Sequence, residues 1–218
     1  MTPYREGLPP LPPRLAHLPL DERGYPVPWF VPFVNGVPDF RCMDSDKLVR
    51  AVREDLCWTC GRANGAHKVF AIGPMCVVNR VTAEPPSHME CVEYSAKACP
   101  FLSEPKRRRR APGMPVGVLD PVGEMILRNP GVTCLWSTKK FELKRVDHGV
   151  MFMLGEPTKV TWWCRSRPAT RDEVLESLDG GLPLLLEACE KDDDPAESRV
   201  DVAKWYRRSL KFLPSEHA

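Results

Sequence analysis

Four side chains in this sequence have the types and spacing of a metal site. Cys57-Trp58-Thr59-Cys60-Gly61 is a C-x2-C-G pair. Its two thiolates can converge on one ion, and the glycine allows a tight turn after them. Pro85-Pro86-Ser87-His88-Met89-Glu90-Cys91 then supplies a histidine and a cysteine three positions apart. Ser87 and Glu90 have the pattern of a capping box, which predicts a helix from Ser87 with His88 and Cys91 on one face of its first turn. Three thiolates and one imidazole fill a tetrahedral shell for Zn2+ and leave no position for an activated water, so the expected zinc is structural. Cys76 and Cys99 are alternative ligands for one of the four positions. Cys42, Cys134, Cys164 and Cys189 are scattered and read as core thiols.

Strands are expected over 67–72 and 75–82, around Gly73-Pro74. A knuckle, a hairpin and a helix carrying the last two ligands resemble the treble-clef zinc finger, over residues 55–100. HNH endonucleases use the same frame with a histidine base in the hairpin and a further ligand set on the helix. His67 and Asn79 lie in the matching segment, but Val92-Glu93-Tyr94-Ser95-Ala96-Lys97 lacks the helix ligands. His88-Met89-Glu90 also fits the H-x-E of zinc base deaminases. Their downstream P-C-x-x-C is missing here: the C-x-x-C pair lies upstream, and Leu56 stands where the proline would be.

The elements that must position these residues follow from caps, turns and periodicity. Ten of the 24 prolines fall in the first 40 residues. Residues 1–27 read as a Pro-rich arm, poorly structured or laid over the domain; Leu8 to Arg14 could also serve a partner's aromatic groove as a proline ligand. Asn35-Gly36 marks a type I′ hairpin. Asp44 or Ser45 caps a helix over 46–54, with Leu48, Val49 and Val52 on one face. These elements and the zinc unit make an expected domain of 28–102, followed by a basic linker over 103–122. In 123–218, strands over 133–138, 140–146, 150–154 and 159–163 suggest an antiparallel meander. Thr170 with Glu173 opens a helix to 179, Gly180-Gly181 ends it, and Pro183 restarts one to 191. Asp194-Pro195 with Glu197 opens a last helix to 212, with Val200, Ala203, Leu210 and Trp205–Tyr206 as its expected buried face. The fold class is α+β: a treble-clef finger embedded in an N-terminal α+β domain, then a β-meander with C-terminal helices.

The 218 residues are 43% hydrophobic and 28% charged, which excludes a chain disordered throughout. No apolar run approaches the ~18 residues that span a bilayer, and no signal peptide is apparent. Nine cysteines, an odd number, then suggest a reducing cytoplasm. The net charge of +2 hides two opposite segments. Residues 97–111 hold six bases and one acid, a net +5; residues 171–201 hold three bases and eleven acids, a net −8. The expected function is zinc-stabilised nucleic-acid binding without catalysis. Lys106, Arg107, Arg108, Arg109 and Arg110 would contact phosphates, joined by Arg62, Lys68 and Arg80. A protein–protein or assembly module, docking through the acidic 171–201 segment or the Pro-rich arm, is the alternative; an HNH-like nuclease is the second. Trp162 and Trp163 with Arg165 and Arg167 could stack and hold a nucleotide. Adjacent strand residues face opposite sides, so one tryptophan should lie under a helix and the other under solvent, a partner or the arm.

Overall fold

The computed structural model describes residues 2–105, 107–108, 130–146 and 149–215. Its described residues form a mixed α+β fold around a four-stranded and a three-stranded antiparallel sheet, with a separate two-stranded hairpin. The larger sheet has the order β3-β5-β8-β9, built from Lys68–Ile72, Thr133–Thr138, Pro157–Cys164 and Arg167–Pro168. All six residues of β5 are buried, because helices cover both faces of this central strand. On one face Phe70, Trp136, Cys134 and Trp162 pack with Val77 and Val78, and with Val174 and Leu178. On the other face Val69, Leu135 and Trp163 meet Val92 and Ala96. The smaller sheet has the order β4-β7-β6: Val81–Thr82, Gly149–Leu154 and Phe141–Val146.

These pairings revise two expectations. The strands after residue 130 are not one meander. The β6–β7 hairpin leaves the main sheet to pair with β4, while β5 skips it to pair with β8. The sheets also cross the boundary expected between 28–102 and 123–218. The β3 strand comes from the first stretch and its partner β5 from the second, with Phe70 opposite Trp136. Each β3 face is buried only when β5 supplies its neighbours, so the two stretches share one core.

The Asn35-Gly36 turn joins β1 (Phe33–Val34) to β2 (Val37–Pro38), and both turn residues have positive φ, 52° and 80°. The helix α1 (Ser45–Arg53) is capped by Asp44, whose carboxylate accepts from the Asp46 and Lys47 amides. Ala51 is the buried residue of α1, while Val49 is exposed. The expected strand over 75–82 is instead the helix α2 (Pro74–Asn79), followed by β4. Gly73-Pro74 supplies its start, since proline suits the first helical position, and Val77 and Val78 bury themselves in the core.

The helix α3 (Met89–Ala98), which follows His88 and carries Cys91, leads into the single turn α4 (Pro100–Ser103). The C-terminal helices are α5 (Arg171–Ala188) and α6 (Pro195–Ser209). Thr170 and Glu173 form the full capping box on α5, and Asp194 caps α6 by accepting from the Glu197 amide. Gly180-Gly181 does not end α5; the helix continues through Pro183. Gly181 lies against Met75, whose Cε would be 2.8 Å from an added Cβ, so this glycine serves close packing of α2 on α5. On α6 the buried positions are Val202 and Ser209, with Trp205, Tyr206 and Leu210 packed on the core. Val200, expected inside, is exposed.

The N-terminal arm is ordered against the rest of the chain. Leu15 and Leu18 are buried in a cluster with Cys57, Cys60, Cys91, Tyr94 and Ala98, and Leu8 and Leu11 pack on it. Tyr4 and Tyr94 share a hydroxyl–hydroxyl bond of 2.8 Å. No helix among the described residues is long and apolar enough to cross a membrane.

Candidate metal centre

Two short loops and one helix end converge at the centre. The knuckle starts where Leu56 bridges Ala63 and the Cys57 amide donates to the Arg62 carbonyl, 2.7 Å. Gly61 closes the turn at φ 72°, under the Trp29 indole, whose Cγ would lie 2.6 Å from an added Cβ. The second loop lies alongside. Trp58 donates its amide to the Pro86 carbonyl at 3.0 Å, the Thr59 amide donates to Ser87 Oγ at 3.1 Å, and Ser87 pairs with Val69 of β3.

Ser87 is therefore not the helix cap that its sequence context suggests. Its hydroxyl is taken by Thr59, and His88 is the N-cap residue of α3, with no side-chain cap bond. Glu90, the other half of the expected box, instead pairs with Arg14 of the arm. That ion pair also turns the H-x-E glutamate toward the arm.

Cys57, Cys60, His88 and Cys91 place four ligand atoms within 4.8 Å of one another, a group that could hold a metal ion. Nδ1 of His88 lies 3.5 Å from Cys60 Sγ and 3.8 Å from Cys91 Sγ. The other ring nitrogen, Nε2, is 3.0 Å from the Ala63 carbonyl and donates to it when Nδ1 is the metal-facing lone pair. Cys57 Sγ accepts the amides of Cys60 and His88, each at 3.4 Å. The three thiols hydrogen-bond to one another. Hydrogen bonds from Cys60 and Cys91 hold the Cys57 thiol far below its usual range, and the same bonds push Cys60 and Cys91 up. Cys57, Cys60 and Cys91 are buried and His88 is half-buried.

Neither Cys76 nor Cys99 belongs to this group. Burial pushes the Cys76 thiol up to about 11 and raises Cys134 as well, so both are protonated core groups. His67 is exposed beside Thr158, and Asn79 accepts the Val81 amide at the end of α2. Among the described residues no second donor cluster accompanies them.

Of the expected nucleic-acid residues, the described ones have separate surroundings. Arg62 is exposed on the knuckle. Lys68 is paired with Asp55. Arg80 is a structural residue: it donates to Glu156 from both terminal guanidinium nitrogens, at 2.8 and 3.2 Å, and lies over the Trp136 ring. Arg107 pairs with Glu104 and Arg108 is exposed. Lys106, Arg109 and Arg110 lie outside the described residues. The Trp162–Trp163 grouping is not a stacking site, because both rings are buried on opposite faces of the sheet. Trp162 donates to the Phe212 carbonyl at 2.8 Å, Lys97 covers Trp163, and Arg167 is held by Glu173.

Sequence reasoning missed the cover of the centre. Leu8, Leu11, Leu15 and Leu18 recur at three- and four-residue intervals, a buried-face signal hidden among prolines that bar a long helix. Comparison of the chain with protein families, curated proteins and solved structures finds no match.

Proposed function

We propose that this chain is a zinc-stabilised nucleic-acid-binding protein without catalytic activity, its zinc held by a treble-clef-like unit of knuckle, strand and helix. The observation that carries the metal reading is the donor geometry. Zinc–sulfur and zinc–nitrogen bonds of about 2.3 and 2.0 Å at a tetrahedral angle put sulfur and nitrogen about 3.5 Å apart. The Sγ to Nδ1 separations of 3.5 and 3.8 Å fit that figure. A Cys3His donor set is soft and closed, which suits zinc and leaves it a structural role. The amides that donate to Cys57 Sγ stabilise a thiolate there, and the Ala63 carbonyl orients the His88 ring, the outer support such a site needs.

Nucleic acid is the partner class that the charge supports. The metal helix leads through α4 to the five consecutive bases at 106–110. Exposed Arg62 adds a cation on the knuckle itself. Two measurements test the reading. Metal analysis of the purified chain should return about one zinc per chain; a fully folded, metal-free protein refutes the site. Electrophoretic titration with duplex and single-stranded oligonucleotides should show binding at ~50 mM salt that weakens steeply by ~200 mM. No binding at the lower salt refutes the function.

A further inference from the structure

We infer that the nucleic-acid phosphate backbone binds a second basic surface, built from the C-terminal half of α6 and the turn between β5 and β6, with Lys139, Lys140, Lys204 and Arg207 as its contacts. The inference rests on the nucleic-acid reading and places its contacts on a surface that the linker bases do not supply.

Residues 202–214 hold Lys204, Arg207, Arg208 and Lys211 and no acid. Spaced 0, 3, 4 and 7 along the chain, they share one stripe, and all four are exposed. At about 1.5 Å of rise per residue the stripe is roughly 10 Å long, which laid along the duplex axis covers the rise of some three phosphates of one strand at about 3.4 Å each. Favourable placement of cations at a helix C-terminus accounts for part of this composition. It does not account for Lys139 and Lys140, which a different element delivers to the same region.

That delivery is fixed by close contacts. The hydroxyl of Thr138 donates to the Glu156 carbonyl at 2.9 Å, and the Gly155 amide donates to the Lys140 carbonyl at 3.1 Å. An added Cβ on Gly155 would clash with that carbonyl oxygen, so the two turns are pressed together. The side chain of Glu156 then reaches Arg80, Arg208 at 2.6 Å and Lys211 at 3.7 Å. One carboxylate among three cations leaves a net +2 and holds α6 against the β7–β8 turn. Lys139, Lys140, Lys204 and Arg207 take no ion-pair partner among the described residues. A membrane surface is a poorer fit, because the large apolar residues of this stretch, Trp205, Tyr206, Leu210, Phe212 and Leu213, pack against the core instead of pointing outward.

The test compares three forms of the full chain, each checked for native near-UV circular dichroism, by anisotropy titration of a 20-base-pair duplex. The variant K139Q/K140Q/K204Q/R207Q should bind at least tenfold more weakly at ~50 mM salt. Its slope of log affinity against log salt should fall by about 3 to 4, since each lost phosphate contact removes about 0.9. The charge-retaining variant K139R/K140R/K204R/R207K should bind as the wild type does. If the wild-type chain binds no nucleic acid, the underlying reading and this inference both fail. If it binds, and the loss appears only in K106Q/R107Q/R108Q/R109Q/R110Q, the nucleic-acid reading stands and this surface is refuted. Polyglutamate competing as well as duplex at equal charge would refute the phosphate assignment.

Discussion

His88 shows how one ring is used twice. Its Nδ1 faces the thiols while Nε2 meets the Ala63 carbonyl, so the backbone of the knuckle selects the tautomer that presents a lone pair inward. The four donor residues were readable because two short spacings, C-x2-C and H-x2-C, are local properties of the chain. The Ala63 contact was not, because any residue can offer a carbonyl. His88→Ala should bring zinc content from about one per chain to near zero and expose the Cys57 loop to proteolysis. The reason is that on the order of 10 kcal/mol of metal binding is also folding energy. Glu156 gives a second prediction at this scale. Chiefly through the Arg80 guanidinium, its pKa is lowered from 4.5 to about 2. A depressed carboxyl stabilises the fold above its unfolded pKa, and that contribution is lost as pH falls from about 4.5 through about 2. Denaturant titrations should therefore find Glu156→Gln less stable than wild type at pH 7 and equal to it below pH 2. The difference should stay under about 1 kcal/mol, because Glu156 is 61% exposed.

At the scale of elements, caps that need only their own neighbours were legible. Asp44, Thr170 and Asp194 all cap the helices their sequences announce. Thr170→Ala should cost about 1 kcal/mol and lower the melting temperature by about 2 to 4 °C, read by calorimetry. Ser87 failed as a cap because Thr59, 28 positions away, competes for the same hydroxyl. The α2 helix failed for a related reason. Cys76-Val77-Val78 has strand propensity, yet burial on both the sheet and α5 decides the conformation. Gly61 is where local and tertiary demands coincide, with positive φ and a tryptophan ring against it. Gly61→Ala should cost about 1 to 2 kcal/mol from backbone strain alone. It should also weaken zinc binding measurably in a chelator competition, since the knuckle must open to admit the methyl group.

At the scale of the whole molecule, the Cys3His group is an internal layer. The arm covers one side through Leu15 and Leu18, and α3 presses its other face on the central sheet through Val92 and Ala96. Leu15→Ala should cost about 2 to 5 kcal/mol. It should also accelerate zinc extraction by a chelator, whereas Leu184→Ala, an exposed position on α5, should change neither. The prolines of the arm shape an extended cover that crosses the centre with one 3-10 turn, Pro13–Leu15.

By itself the sequence determined the donor set, the hairpin turn, three helix caps and the α+β class. Each depends on residue types a few positions apart, where covalent geometry limits the choices. Tertiary structure decided which strands pair, that β5 is buried on both faces, that Gly181 is a packing contact inside α5, and that Arg80 and both tryptophans of β8 are structural. Those outcomes turn on competition between distant partners for the same buried surface or hydrogen bond. No spacing along the chain records who wins.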